Sequence, residues 1–250
     1  MNSESDTPGP VLAVVNPKTA LAVAAAARKQ ASRIGAGLQV LGVLEHPHDL
    51  RAAAAAAQIE PQALMARLSQ VLREQIEAEL ARDIDAPVTV RAGDKAFIEI
   101  IMQALQTNAS MVIKAPEPHA GGVGRLLAST DLHLLRKCPC PVWLHAPEGE
   151  GAIRTVVAAV DVDPEAAEPD TQADVNAQVM LAALSVCEPD AEIHMLPARR
   201  AEDAGLFWVF GDLGGGEAAA QRYIDAVKAE RRRALEALAD QFRPTAGGRR

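Results

Sequence analysis

The stretch KAPEPHAGGVGRLLASTDLHLLRKCPCPVWL, Lys114 to Leu144, decides the fold. It leaves the apolar run Met111–Lys114, crosses a glycine-bearing loop and enters a helical pattern carrying Leu132, Leu134 and Leu135. Pro139 and Pro141 stop that helix, and Val142–Leu144 reads as the next strand. Strand, loop, helix and strand in this order form the repeating unit of an open α/β sheet. The loop-to-helix step is where such a sheet receives a phosphate, because glycines expose backbone N–H groups and the helix start adds favourable dipole charge.

Upstream, the same alternation runs back to the start of the chain. Val11–Val15 is an apolar run stopped by Asn16-Pro17, which predicts a buried parallel strand. Thr19 is placed to cap an Ala-rich helix over Ala20 to Ile34, and Gly35 and Gly37 end it. Leu38–Leu44 predicts a second strand, and His46 to Asp49 a loop. Pro61 opens a long helix on which Leu64, Leu68, Leu72, Ile76 and Leu80 make one apolar stripe. Val88–Val90 is a third strand. Asp94 is placed to cap a third helix with Phe97, Ile98, Ile100, Ile101 and Leu105 on its buried side. With Met111–Lys114 and Val142–Leu144 the count reaches five. Short crossovers are right-handed and build a parallel sheet with helices on both faces, so residues 11–146 predict a complete doubly wound domain.

Downstream, residues 147–151 read as a linker and the pattern restarts. Ile153–Val160 predicts a strand ending at Asp161, Thr171 caps a helix over Ala173 to Val186, and Glu192–Leu196 predicts a second strand. A Gly-rich insertion, Gly205 to Gly216, leads into a long helix from Glu217 to Phe242. Residues 152–243 therefore give strand, helix, strand, helix, a partial second domain. Residues 1–10 and 244–250 are expected to be disordered.

Composition narrows the function. Hydrophobic residues are 49% and aromatics 3%, so the core is built from Ala, Val, Leu and Ile. A net charge of −8 disfavours nucleic acid, because phosphate contacts need a basic face. The cluster Arg231, Arg232 and Arg233 reads as a solvated helix face. No stretch approaches the roughly 18 apolar residues of a spanning helix, so no membrane is expected as a partner. The N-terminus lacks the charged start and apolar core of a signal peptide. Cytoplasmic localisation and reduced thiols are the expectation. Cys138 and Cys140 in C-x-C spacing, without a partner pair, match no common zinc site and read as buried thiols. A redox role for them would draw on Arg136 and Lys137 to lower a thiol pKa. His46 and His48 lack a third ligand nearby, so no metal is assigned. Ser129, Asp131 and His133 do not all face one another on a helix, so no catalytic triad is assigned and no enzyme activity is expected. His133 reads as a helix-packing residue.

Four features together resemble the universal stress protein family. They are the first strand ending at Asn16, the run Val90 to Asp94 leading into an Ile-rich helix, the fourth strand MVIK with its loop, and LLRKCPCPVWL with its Cys-Pro-Val step. The wording DLHLLRKCPCPVW is similar to the first domain of the tandem E-type members, and the restart at Ile153 fits a tandem arrangement. The resemblance implies a sheet of order 3-2-1-4-5, followed by a partial repeat of the same fold.

One branch of that family binds adenine nucleotide through an Asp at the end of the first strand and a loop of the form G-x2-G-x9-G-[ST]; the other lacks these residues and does not bind ATP. On this chain the Ser/Thr position falls on Ser129. The three glycines fall on Ala128, Pro118 and Ala115, and the acid on Asn16. Pro118 has no N–H to donate. The resemblance therefore implies a degenerate nucleotide site in the first domain and no cofactor. The remaining route to ATP uses Asn16, the cluster Gly121, Gly122 and Gly124, and Ser129 with Thr130. In the second domain Asp161 stands at the acid's position without a phosphate loop after it. Two readings follow: a non-catalytic stress protein acting through protein partners or as a homodimer, or an adenine-nucleotide-binding stress protein.

Overall fold

The structure is a computed structural model that describes residues 8–81, 83–117, 129–146, 151–162, 168–197 and 216–243, with the side chains of residues 169 and 216–220 excepted. The chain divides into two compact units, Met1–Glu150 and Gly151–Arg250.

In the first unit the strands are β1 (Val11–Val15), β2 (Leu38–Glu45), β3 (Val88–Gly93), β4 (Met111–Lys114) and β5 (Val142–Leu144). They form one parallel sheet of order β3-β2-β1-β4-β5, as the family resemblance implies. β1 is central: Val11 pairs with Leu38 on one side and Met111 on the other. A central strand flanked on both edges and both faces has no solvent side, which is why VLAVV is apolar throughout and all five of its residues are buried.

Alternate residues of each strand point to opposite faces. Leu12, Val14, Leu41 and Val112 build a core with Ile100 and Ala104 of helix α4 (Ala96–Gln106) and Leu134 of helix α5 (Thr130–Lys137). The opposite face receives α1 (Ala20–Ile34) and α3 (Pro61–Leu80), which touch each other over the sheet. Val23, Ala24, Ala27 and Ala31 of α1 are buried, as are Ile76 and Leu80 from the predicted α3 stripe. Gly42 of β2 permits this approach: a Cβ there would lie 2.7 Å from the Ile76 Cδ1 and 3.3 Å from Val90. α1 ends at Gly35 in the left-handed region, φ 68°, with its N–H donated to the Ala31 carbonyl.

Several local expectations need correction. The loop stands at His46 to Asp49 as expected, and a seven-residue helix to which no expectation applied, α2 (Leu50–Ala56), follows it; its run of alanines carries the propensity for it. Ile98 and Leu105 of α4 are 45% and 56% exposed. The helical period places Ile100, Gln103 and Ala104 inward, with Phe97 and Ile101 partly covered, so the other two point outward. The caps also differ. Thr19 makes no side-chain cap to α1. Asp94 does not cap α4; it pairs with His46 at 2.9 Å, and Glu45 of β2 accepts the Ala96 N–H at 2.8 Å.

The second unit holds β6 (Thr155–Val160), helix α6 (Pro169–Val186), β7 (Glu192–Pro197) and helix α7 (Gly216–Phe242). β6 and β7 pair in parallel, Thr155 opposite Glu192. Ala158, Val160, Val162, Met180, Ala183, Leu184 and Phe242 form its core. The other face of the ribbon is open, with Val157 61% and Leu196 57% exposed.

Candidate functional site

The order β3-β2-β1-β4-β5 reverses direction between β1 and β4, and a ligand crevice in such a sheet opens at the carboxyl ends of those two strands. Asn16 follows β1, Lys114 ends β4, and Ser129 and Thr130 begin α5, so the fold brings the first-domain candidates Asn16, Ser129 and Thr130 to this end of the sheet. Gly121, Gly122 and Gly124 lie outside the described residues.

Asn16 is used locally. Its side-chain oxygen accepts the N–H groups of Lys18 at 2.9 Å and Thr19 at 3.1 Å, closing the turn that launches α1. Both N–H groups precede α1, so Asn16 shapes the turn and does not cap the helix.

At the start of α5 the chain provides its own anions. Ser129 Oγ accepts the Leu132 N–H at 3.2 Å, the N-cap bond. Glu117 Oε2 accepts the Thr130 N–H at 3.2 Å. Asp131, in the first turn, accepts the Glu117 N–H at 2.7 Å and pairs with Lys114 Nζ, which also donates to the Ala115 carbonyl at 2.8 Å. The Lys114 and Asp131 side chains are 10% and 5% exposed, so this is a buried ion pair. A helix start favours negative charge because its first N–H groups have no intrahelical acceptor. Here two carboxylates and a hydroxyl meet that demand against one ammonium. Among the described residues, a phosphate at the same place would meet the Thr130 and Leu132 N–H groups already engaged by Glu117 and Ser129.

Lys114, Glu117 and Asp131 are the residues that sequence reasoning missed. One signal was available: a lysine closing an otherwise apolar central strand requires a nearby anion once buried.

A profile of the universal stress protein family matches residues 9–145. The chain belongs to the universal stress protein family. Universal stress protein E of Salmonella typhi is 29% identical over 99 residues, covering 38% of this chain and 31% of that protein. Universal stress protein E of Escherichia coli strain K12 is 28% identical over 99 residues with the same coverage. The aligned stretch thus spans under a third of these curated relatives. Among solved structures, a functionally unknown protein of Pseudomonas aeruginosa superposes with TM-score 0.50 at 18% identity, covering 94% of this chain and 70% of that one, a likeness of fold.

In this universal stress protein Asp161 lies apart from the first-unit candidates in the chain's division, in the second unit. Its backbone is clamped by Asn176 of α6: the Asp161 N–H donates to Asn176 Oδ1 at 2.9 Å, and Asn176 Nδ2 donates to the Asp161 carbonyl at 2.6 Å. His133 stacks on Phe97 with ring centroids 4.3 Å apart, in keeping with a packing role. Among the described residues no group of three His, Cys, Asp or Glu side chains could hold a metal, and no helix is long and apolar enough to cross a membrane.

Proposed function

We propose that this universal stress protein is a non-catalytic, cytoplasmic regulator that acts through protein partners or as a homodimer, and that its first unit works without ATP. One observation carries the reading: the start of α5 is occupied by Glu117, Ser129 and the Lys114–Asp131 pair. Asn16, an amide standing where the nucleotide-binding branch has an acid, spends its side-chain oxygen on the α1 turn. Among the described residues, Lys114 is already paired with Asp131, and Asn16 is an amide that brings no carboxylate to a ribose. The strand–helix–strand–helix order of residues 151–250 supports reading the second unit as a partial repeat of the same fold. Mass spectrometry of the supernatant from gently denatured, freshly purified protein tests the reading. No released adenine nucleotide is expected; release in stoichiometric amount would overturn it.

A further inference from the structure

The segment Cys138-Pro139-Cys140-Pro141 leaves α5 and enters β5. The Cys138 backbone is extended (φ −67°, ψ 136°), and its N–H donates to the Leu134 carbonyl at 2.9 Å. Each cysteine precedes a proline, which disfavours the helical region for it, and each proline fixes its own φ. The Pro141 carbonyl accepts the Val112 N–H at 2.9 Å, tying the segment to β4. This stiff loop holds the two sulfurs 3.8 Å apart. Both side chains are half-buried, packed on the core of Leu134, Val112 and Val142, while Pro139 between them is exposed.

The two thiols are unequal. The two sulfurs share a hydrogen bond that either can donate; with Cys140 donating, it lowers the Cys138 pKa to about 7 against the opposing effect of burial. The same bond, together with burial, pushes Cys140 upward. The neighbouring cations contribute differently from the sequence expectation: Lys137 lies over the Phe97 ring at 5.2 Å, and the thiolate-stabilising partner is the second cysteine. Thiolate character and solvent access beside a second cysteine define a thiol that oxidants select and a neighbour that resolves it.

We propose that Cys138 and Cys140 form an oxidation site for hydroperoxides, with Cys138 as the attacking sulfur and Cys140 as the resolving one. The Cys138 thiolate attacks the terminal peroxide oxygen. The O–O bond breaks, Cys138 becomes a sulfenic acid, and the leaving oxygen departs, after protonation, as water or an alcohol. The Cys140 sulfur then attacks the Cys138 sulfur. The S–O bond breaks, the S–S bond forms, and water leaves carrying the Cys140 proton. Two thiols have lost two electrons to one peroxide. Closure brings the sulfurs from 3.8 Å to a bond of about 2.05 Å.

The test uses the full chain, a small molar excess of hydrogen peroxide, iodoacetamide and trypsin. Cleavage after Lys137 and Arg154 places both cysteines in one peptide, apart from the buried Cys187. After peroxide that peptide is expected two hydrogens lighter and unalkylated, and doubly alkylated if dithiothreitol precedes the alkylation, while Cys187 stays reduced. In Cys140→Ser, shown folded by circular dichroism, dimedone should trap a sulfenic acid on Cys138. A doubly alkylated wild-type peptide after peroxide, or a disulfide linking two chains instead of closing within one, would overturn the proposal without needing any variant.

Discussion

Lys114 and Asp131 show how one buried pair sets the character of the switch point. An ammonium and a carboxylate at this burial are each costly alone, and the pair persists because each also satisfies backbone groups, the Ala115 carbonyl and the Glu117 N–H. Asp131→Asn leaves the ammonium without its anion. Loss of about 3 kcal/mol of stability is expected in urea unfolding. The double variant Lys114→Met/Asp131→Asn should recover part of that loss, because the uncompensated charge is gone. Equal stability of Asp131→Asn and wild type would show that the pair contributes nothing. At this scale the sequence was only partly informative. His133 as a packing residue was legible from local pattern, whereas Ser129, placed by the family resemblance at a phosphate position, is the N-cap of α5. The Glu117 contact was not legible, because it joins residues 13 apart in the chain, and no local periodicity encodes such a closure.

Among elements, what was legible follows from hydrophobic period. β1, β2, β4 and α3 carry unbroken apolar runs or a regular stripe, and they stand where those patterns put them. The errors fall where two signals compete. α4 is apolar nearly all round, so its inward face could not be told from composition, and Ile98 and Leu105 prove to be outside. α2, for which nothing was expected, is short and lacks a stripe, and only its alanines argue for it. Caps were misassigned because a carboxylate from a neighbouring strand, Glu45 on Ala96, displaced the local candidate Asp94. The contact of α3 with β2 depends on Gly42. Gly42→Ala places a methyl carbon 2.7 Å from Ile76 Cδ1 and is expected to cost about 2 kcal/mol in the same unfolding measurement. An unchanged midpoint would mean that α3 yields without loss.

For the whole molecule, the family sheet is complete in the first unit, whereas the described residues of the second show a two-stranded ribbon covered on one face. The parallel, doubly wound sheet was readable from the alternation of strands and helices, and its strand order from the family resemblance. The site was not readable to the same depth, because a fold places a crevice without saying what fills it. On the proposed reading, the crevice between β1 and β4 is filled by the chain's own carboxylates and a regulatory role replaces nucleotide binding. Isothermal titration of the full chain with ATP and Mg²⁺ tests this most directly. A flat titration at micromolar to millimolar nucleotide is the predicted result; a saturable heat with micromolar affinity would contradict it.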